Sequence, residues 1–501
     1  MARLRMGGGI APLLGCLALV SAPAAAQDGT WNGFSFGDLG SGGNWSPDSV
    51  PTGTASFGAS GTTNTFLNRP LAFDTLSFEA GAPAYAITLN GGFGNDVTLT
   101  LNGAGIANAS DFAPTILLSP ADPSGQVRLV LQNGASLGNA VVSGGTGGPT
   151  LVQFSGTASG GSATIDGVPV AMLGASSLGN ATIVNGTAID LNMTAPGTAS
   201  LGNASIGMAS GGVLRVGANG SLGTARITLG GGGSALQVFD DATGNGARLN
   251  LVAGSTLRMG SDSAPMAAFT LGTLSATGGT IETFGTGTLT IGTVAGGALP
   301  VDITGTGNVT FAGNEARVLT GGSSLTGTIT LQGGSLTVGD GGFPRLVAGN
   351  VALAAGTTLA FNHGGSLDYS ASISGAGSLV NRGPGTLVLD GVNSFTGPTV
   401  VEAGGLLLSG AGSIANSALT LGADTFFDVS GVASRATSIA GLNGAGMVQL
   451  GRTTLTIGAA GGTFSGTITD SEAVGGAGGG LVIDNGGRLT LSGASTYTGT
   501  T

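Results

Sequence analysis

Apolar and polar residues alternate in short runs along almost the whole chain, and glycine-rich turns separate the runs. "RITLG" starts at Arg226, "TLTIG" at Thr288 and again at Thr454, and "RLTLS" at Arg488. A period of two puts one row of side chains on each face of a β-strand. Stripes with a 3.6-residue period and helix caps are hard to find, so the pattern predicts an all-β chain. The most apolar later stretch, "LVAGNVALAAGTTLAF" from Leu346 to Phe361, reads as two strands and a turn rather than as a membrane helix.

A second regularity sits above the strands. "ASLGNA" at 135–140 returns as "SSLGNA" at 176–181, "ASLGNA" at 199–204 and "GSLGTA" at 220–225. A decayed copy, "ASGGSA" at 158–163, puts Gly160 where the other copies have Leu137, Leu178, Leu201 and Leu222, giving steps of 23, 18, 23 and 21 residues. A period near twenty with short strands and Gly/Asn/Ser corners suits one rung of a parallel β-solenoid. One rung cannot bury its apolar face alone. Stacked, it places Leu on Leu while its backbone pairs with the rungs above and below. About 22 such rungs would make a rod on the order of 100 Å long. The segment "GGGGSALQVFDDATGNG", Gly230 to Gly246, interrupts the phrase and is expected to protrude as a loop.

Composition sharpens this reading. Of 501 residues, 101 are Gly, without the Gly-X-Y period of collagen. Charged residues are 8%, against roughly 25% in ordinary soluble domains. Mean hydropathy is +0.40, which argues against disorder. The basic residues are all Arg. The net charge is −11, becoming −13 if Arg3 and Arg5 are removed with a leader. A diffusely acidic chain without basic clusters is not a nucleic-acid binder. Arg3 and Arg5, the apolar run Ile10–Ala22 and Ala24-Ala25-Ala26 before Gln27 form a secretory signal peptide over residues 1–26. "LLGC", ending at Cys16, also fits a lipoprotein box, but the apolar run continues past it to the small-residue site. Cys16 is the one cysteine, so the mature chain has neither disulfides nor a thiol nucleophile.

Near the end, "GTLVLDGVNSFTGPT" (385–399) aligns with "GRLTLSGASTYTGTT" (487–501), identical at seven of fifteen positions with Phe395 opposite Tyr497. The plan is a strand, a glycine turn, two polar residues, an aromatic and a "TG.T" corner. This phrase resembles the autotransporter-associated β-strand repeat of type V secretion passengers. "ISGAGSLVNRGPG" (373–385) precedes the first copy as in that family, and "SIAGLNGAGMVQLGRTTLTIG" and "TFSGTITD" precede the second. The mature N-terminus is similar too, with Trp31-Asn32-Gly33, "NWSPDSVPTGTASFG" (44–58) and "LSFEAGAPAYAITLNG" (76–91). The resemblance implies a right-handed parallel β-helix (β-solenoid), elongated, with an N-terminal cap region. It implies four regions: the signal peptide 1–26, the cap and first rungs 27–100, irregular rungs 101–372, and repeats 373–501, which stop before any translocator barrel. Such a barrel is expected downstream, so the sequence reads as an N-terminal fragment or the product of a truncated frame. Trp31, Trp45 and Phe57 are expected in the cap; the blander alternative makes them surface aromatics on loops.

Candidate chemistry is sparse. His363 in "FNHGGSL" is the single histidine and reads as a turn residue, since no G-x-S-x-G accompanies it and a histidine metal cluster is out of reach. Asp240 and Asp241 could do acid–base work on polysaccharide, with Arg226, Arg248 and Arg258 as nearby cations, but a solvated loop pair fits them better. "GGFGNDVTL" (91–99) begins like a calcium-binding nonapeptide, yet has Thr98 at the apolar position and occurs once. Sequons such as Asn180-Ala181-Thr182 follow from composition. We therefore assign no catalytic, cofactor-binding or metal-binding residue. The expected function is a non-enzymatic, surface-displayed or secreted passenger, an adhesive rod. Its expected partners are its own outer-membrane translocator barrel and host or bacterial surface glycans or proteins. The alternatives are an envelope repeat protein with another anchor and a secreted β-helix enzyme acting on polysaccharide.

Overall fold

The computed structural model describes residues 26–34, 36–92, 94–193, 197–261, 266–343, 349–470, 476–484 and 486–501. The expected leader, with Cys16, lies outside the described residues except for Ala26. The described strands form ladders of 28, 11 and 6 strands without an α-helix. They coil into a parallel β-solenoid of about 20 turns, a filament of about 100 Å at the ~4.8 Å spacing of paired strands.

Register explains the stack. Ile165 faces Ile183, Ile183 faces Ile206 and Ile206 faces Ile227. The column continues into Leu249 and Leu274. Every member is at most 2% exposed. Burial stabilises each by about 1.5–3 kcal/mol before conformational entropy is subtracted. A rung is thus held by its two neighbours rather than by a distant core.

The "ASLGNA" corners are built alike. Leu137, Leu178, Leu201 and Leu222 are buried inside, and bridges run from Ser136 through Ser159, Ser177, Ser200 and Ser221. In each rung the serine Oγ accepts the amide of the glycine two residues on, at 3.0 to 3.1 Å. That glycine must be left-handed: Gly202 has φ +60°, and a Cβ there would lie 2.7 Å from the Gly179 carbonyl oxygen of the rung before.

The expected loop at Gly230–Gly246 is instead a rung. Its strand Ala235–Val238 pairs in parallel with Val213–Val216 and with Thr256–Met259. Ser221 bridges to Thr243, so "ATGNGA" at 242–247 is a further copy of the corner phrase. Gly244 takes the leucine position, and a Cβ there would lie 2.6 Å from Cζ of Phe269, which occupies the space from the next rung. This compensation hides the copy in the sequence. The region 346–361 does contain two strands, Asn350–Leu353 and Thr358–Phe361.

The N-terminal end differs from the rest. Among the described residues it holds the one antiparallel pairing, Gly29–Trp31 with Trp45–Ser46, in which Trp31 faces Trp45. Both tryptophans and Phe57 are buried, which overturns the surface-aromatic alternative. Trp31 and Trp45 meet edge-on at 5.1 Å between centroids, Trp45 and Phe57 at 5.6 Å, and Phe57 stacks on Phe78 at 4.9 Å. The indole N–H groups donate to the carbonyls of Thr62 and Leu39, both at 3.0 Å. Aromatic bodies fill the stack while their polar tips stay satisfied.

Candidate functional surface

Side chains that point away from the solenoid form columns at right angles to the strands, because register repeats from rung to rung. One column runs Asp190, Arg215, Gln237, Arg258, Glu282. Arg215 pairs with Asp190 at 3.1 Å and Arg258 with Glu282 at 2.6 Å, while neutral Gln237 separates the two cations. Opposite charges across a ladder stabilise it and like charges oppose it. A second outward column runs Thr164, Thr182, Ser205, Arg226, Arg248, Thr273. Here two arginines sit side by side.

The residues weighed for chemistry do not converge. Asp240 and Asp241 are exposed in the turn after Ala235–Val238. Arg258, weighed as their cationic partner, is engaged by Glu282. His363 does lie in a turn, but it is buried, at 1% exposure. Its Nδ1 donates to the Gly365 carbonyl at 2.7 Å and its Nε2 has no partner. Burial pulls the imidazole below its ordinary pKa against the opposing pull of that carbonyl, so the ring is neutral at pH 7. Asp96 of the calcium-like phrase accepts the amide of Gln126 at 2.8 Å. No group of three or more His, Cys, Asp or Glu that could hold a metal occurs among the described residues. Open depressions occur at the corners. One of about 320 Å³ is lined by Gly341, Gly342, Phe343, Gly364 and Gly365, and another of about 480 Å³ includes Asp424, Phe426 and Met447. Among the described residues, neither brings two titratable side chains together.

Three buried polar residues escaped sequence reasoning. Arg317 is fully buried, with Nη1 donating to the Gly333 carbonyl at 3.0 Å, Nη2 to the Gly313 carbonyl, and an ion pair to Glu315 at 2.9 Å. Its guanidinium lies 5.3 Å over the Phe311 ring. Asn381, inside the repeat, donates to the carbonyls of Gly385, Ala403 and Gly405 at 2.9 to 3.1 Å and so ties one rung to the next. Asp470 takes the amides of Gly478, Gly479 and Thr498 and the Thr498 hydroxyl on one oxygen, at 2.7 to 3.1 Å. Burial raises its carboxyl, but those four donors outweigh burial and hold it below the ordinary carboxylate range. In the first copy the equivalent amide, Thr396, goes to the backbone carbonyl of Gly375 at 2.9 Å.

Comparison with known proteins agrees with this architecture. The model of the passenger-associated-transport-repeat family matches residues 375–408 and 481–501. Those are the two copies of the strand, turn and "TG.T" phrase. A stretch of 78 residues is 45% identical to the adhesin BmaC autotransporter of Brucella suis biovar 1 (strain 1330). It covers 15% of this chain and 2% of that protein's length. No solved structure matches the chain. Both matched segments lie in one parallel solenoid, and together these findings support an autotransporter passenger with passenger-associated transport repeats at 375–408 and 481–501.

Proposed function

We propose that this chain is the non-enzymatic, adhesive part of an autotransporter, displayed on the outer surface or released, whose rod offers its outward columns to other surfaces. The observation that carries this reading is the repeat-bearing solenoid together with a 78-residue stretch 45% identical to a protein named as an adhesin. The lack of convergence among Asp240, Asp241, His363 and the depressions leaves display as the better use of the fold. Residues 1–26 would direct export, 27–100 would cap the stack, 101–372 would form its irregular rungs, and 373–501 would supply the repeats. A translocator β-barrel would carry the passenger through the outer membrane. A stack without cysteine in its mature part suits that route, because each emerging rung finds its whole partner surface on the rung before.

The test is to fuse the chain to a translocator barrel in a bacterium without its own adhesins, and to measure protease access, self-aggregation and attachment to cells, matrix proteins and glycans. Surface exposure with a gain in attachment is expected. Exposure without any gain in attachment or aggregation would reject the adhesive reading. Turnover of acidic polysaccharide by the purified chain, lost in Asp240→Ala or Asp241→Ala, would replace it with an enzyme.

A further inference from the structure

Arg226 and Arg248 stand directly opposite each other on neighbouring rungs, in the strands Arg226–Leu229 and Gly244–Leu251. Both are exposed, and no ion pair engages either among the described residues. Like charges so placed oppose the ladder that holds them. Elsewhere on the rod the same geometry is neutralised: Arg215 has Asp190, Arg258 has Glu282, and Arg382 has Glu402. The nearest acids in sequence, Asp240 and Asp241, occupy the turn entering the rung of Arg248 and pair with neither arginine.

The surroundings of the pair are neutral and polar. Ser205 precedes it in the column and Thr273 follows it. Two positions along each strand, Thr228, Asn250 and Ser275 form a parallel column, with the Ser275 hydroxyl donating to Asn250 Oδ1 at 3.1 Å. No large apolar side chain in these columns from Ser205 to Ser275 is among the exposed ones, which removes both a membrane contact and a stacking platform for bases.

From this juxtaposition we propose that Arg226 and Arg248 form an anion-binding site for an acidic polysaccharide, laid along the rod across its rungs. Each planar guanidinium forks onto a carboxylate or sulfate of the glycan. The hydroxyl and amide column beside them takes sugar hydroxyls. A sparsely charged uronate chain suits two cations on a protein of net charge −11 better than a dense polyanion does. The proposal deepens the adhesive reading above and rests on it for its biological meaning, though not for its test.

The test measures retardation of the purified chain in gels containing polygalacturonate, heparin or neutral dextran, and titration with duplex DNA and with anionic phospholipid vesicles, at about 50 mM salt. Polygalacturonate should retard the wild type more than heparin does, and dextran should not. Arg226→Gln and Arg248→Gln should each weaken binding about tenfold, and the double variant should abolish it. Amide exchange in the two rungs should be no faster in the variants than in the wild type, because like-charge repulsion is relieved. Arg382→Gln, which removes an arginine from a different column, should bind normally. Undiminished binding by the double variant, no binding by the wild type, or equal binding to DNA or vesicles overturns the site. Cells that attach nowhere, with glycan retardation intact, would reject the adhesive reading and leave the site standing.

Discussion

Arg317→Ala gives the sharpest measure of how much one rung leans on its neighbours. The guanidinium is wholly enclosed, and its partners lie on both sides of its own strand: Gly333 after it, Gly313 and Glu315 before it. Glu315 in turn accepts the Val294 amide at 2.7 Å, so the ion pair reaches back to the preceding rung. Burial pulls the guanidinium below its ordinary pKa and Glu315 pushes back, which leaves it charged at any working pH. Truncation strips two carbonyls of their donor, leaves a cavity over Phe311 and strands a carboxylate that is 24% exposed. Breaking such a pair from one side costs about 3–5 kcal/mol. Arg317→Met with Glu315→Gln keeps the volume and an acceptor for Val294 and strands no charge, but still leaves the Gly313 and Gly333 carbonyls without a donor, so it should cost about 1–2 kcal/mol less than the truncation. A long stack does not unfold as one unit, so the readout is amide exchange by rung. A loss of 3 kcal/mol speeds exchange roughly 150-fold in the rungs containing Val294 and Gly333, with little change beyond Arg382. Arg317→Ala accelerating those amides less than about fivefold, or the double variant matching the single one, would refute the clamp.

Asp470 has a depressed carboxyl pKa in the folded chain, so its contribution is present above the unfolded value near 3.9 and is lost as pH falls through the folded value. The turn at Gly478–Gly479 should therefore open to protease in strong acid, and Asp470→Asn should open it already at pH 7. Trp45→Ala should cost about 3–5 kcal/mol at the N-terminal end and speed aggregation by baring the strand edge; unchanged urea dependence of amide exchange in the N-terminal rungs and unchanged aggregation would defeat the cap. Gly202→Ala and Gly211→Ala separate two effects. Both glycines have positive φ, +60° and +73°, but only Gly202 is crowded by the previous rung. Gly211→Ala should show the backbone strain alone, about 1–3 kcal/mol, and Gly202→Ala distinctly more; equal acceleration of amide exchange in their rungs would remove the close approach as a cause.

What could be read in advance followed from period. Alternation gave away the inward Ile and Leu columns, and the Ser-Leu-Gly phrase showed where corners fall, because both are local patterns repeated at a fixed step. Compensation between rungs was not readable. Gly244 looked like a broken repeat, since Phe269, which occupies its space, lies 25 residues further on and has no local link to it. Arg317 carries one usable sign of burial in the sequence, its parity with buried Leu319 in "ARVL", but its partners lie outside that strand. Asp470 reads as an ordinary turn acid, and only the fold brings Thr498 to it. The outward surface was the least readable part. Its meaning lies in which residues are neighbours across rungs, and steps of 18 to 23 residues scramble that order in the sequence.

That scrambling bears on where specificity can reside. Inward positions are held to apolar residues by their neighbours above and below, and corner positions are held to glycine by close approach. Outward positions answer only to the adjacent residue of their own column, and a mismatch there is mild because water screens it. Three outward arginines nevertheless sit in complementary pairs across rungs, Arg215 with Asp190, Arg258 with Glu282 and Arg382 with Glu402. A column that keeps Arg226 beside Arg248 departs from that tendency without any gain to the fold. In a stack this uniform, a position that folding leaves free and that is still mismatched is where contact with something outside the chain is to be sought.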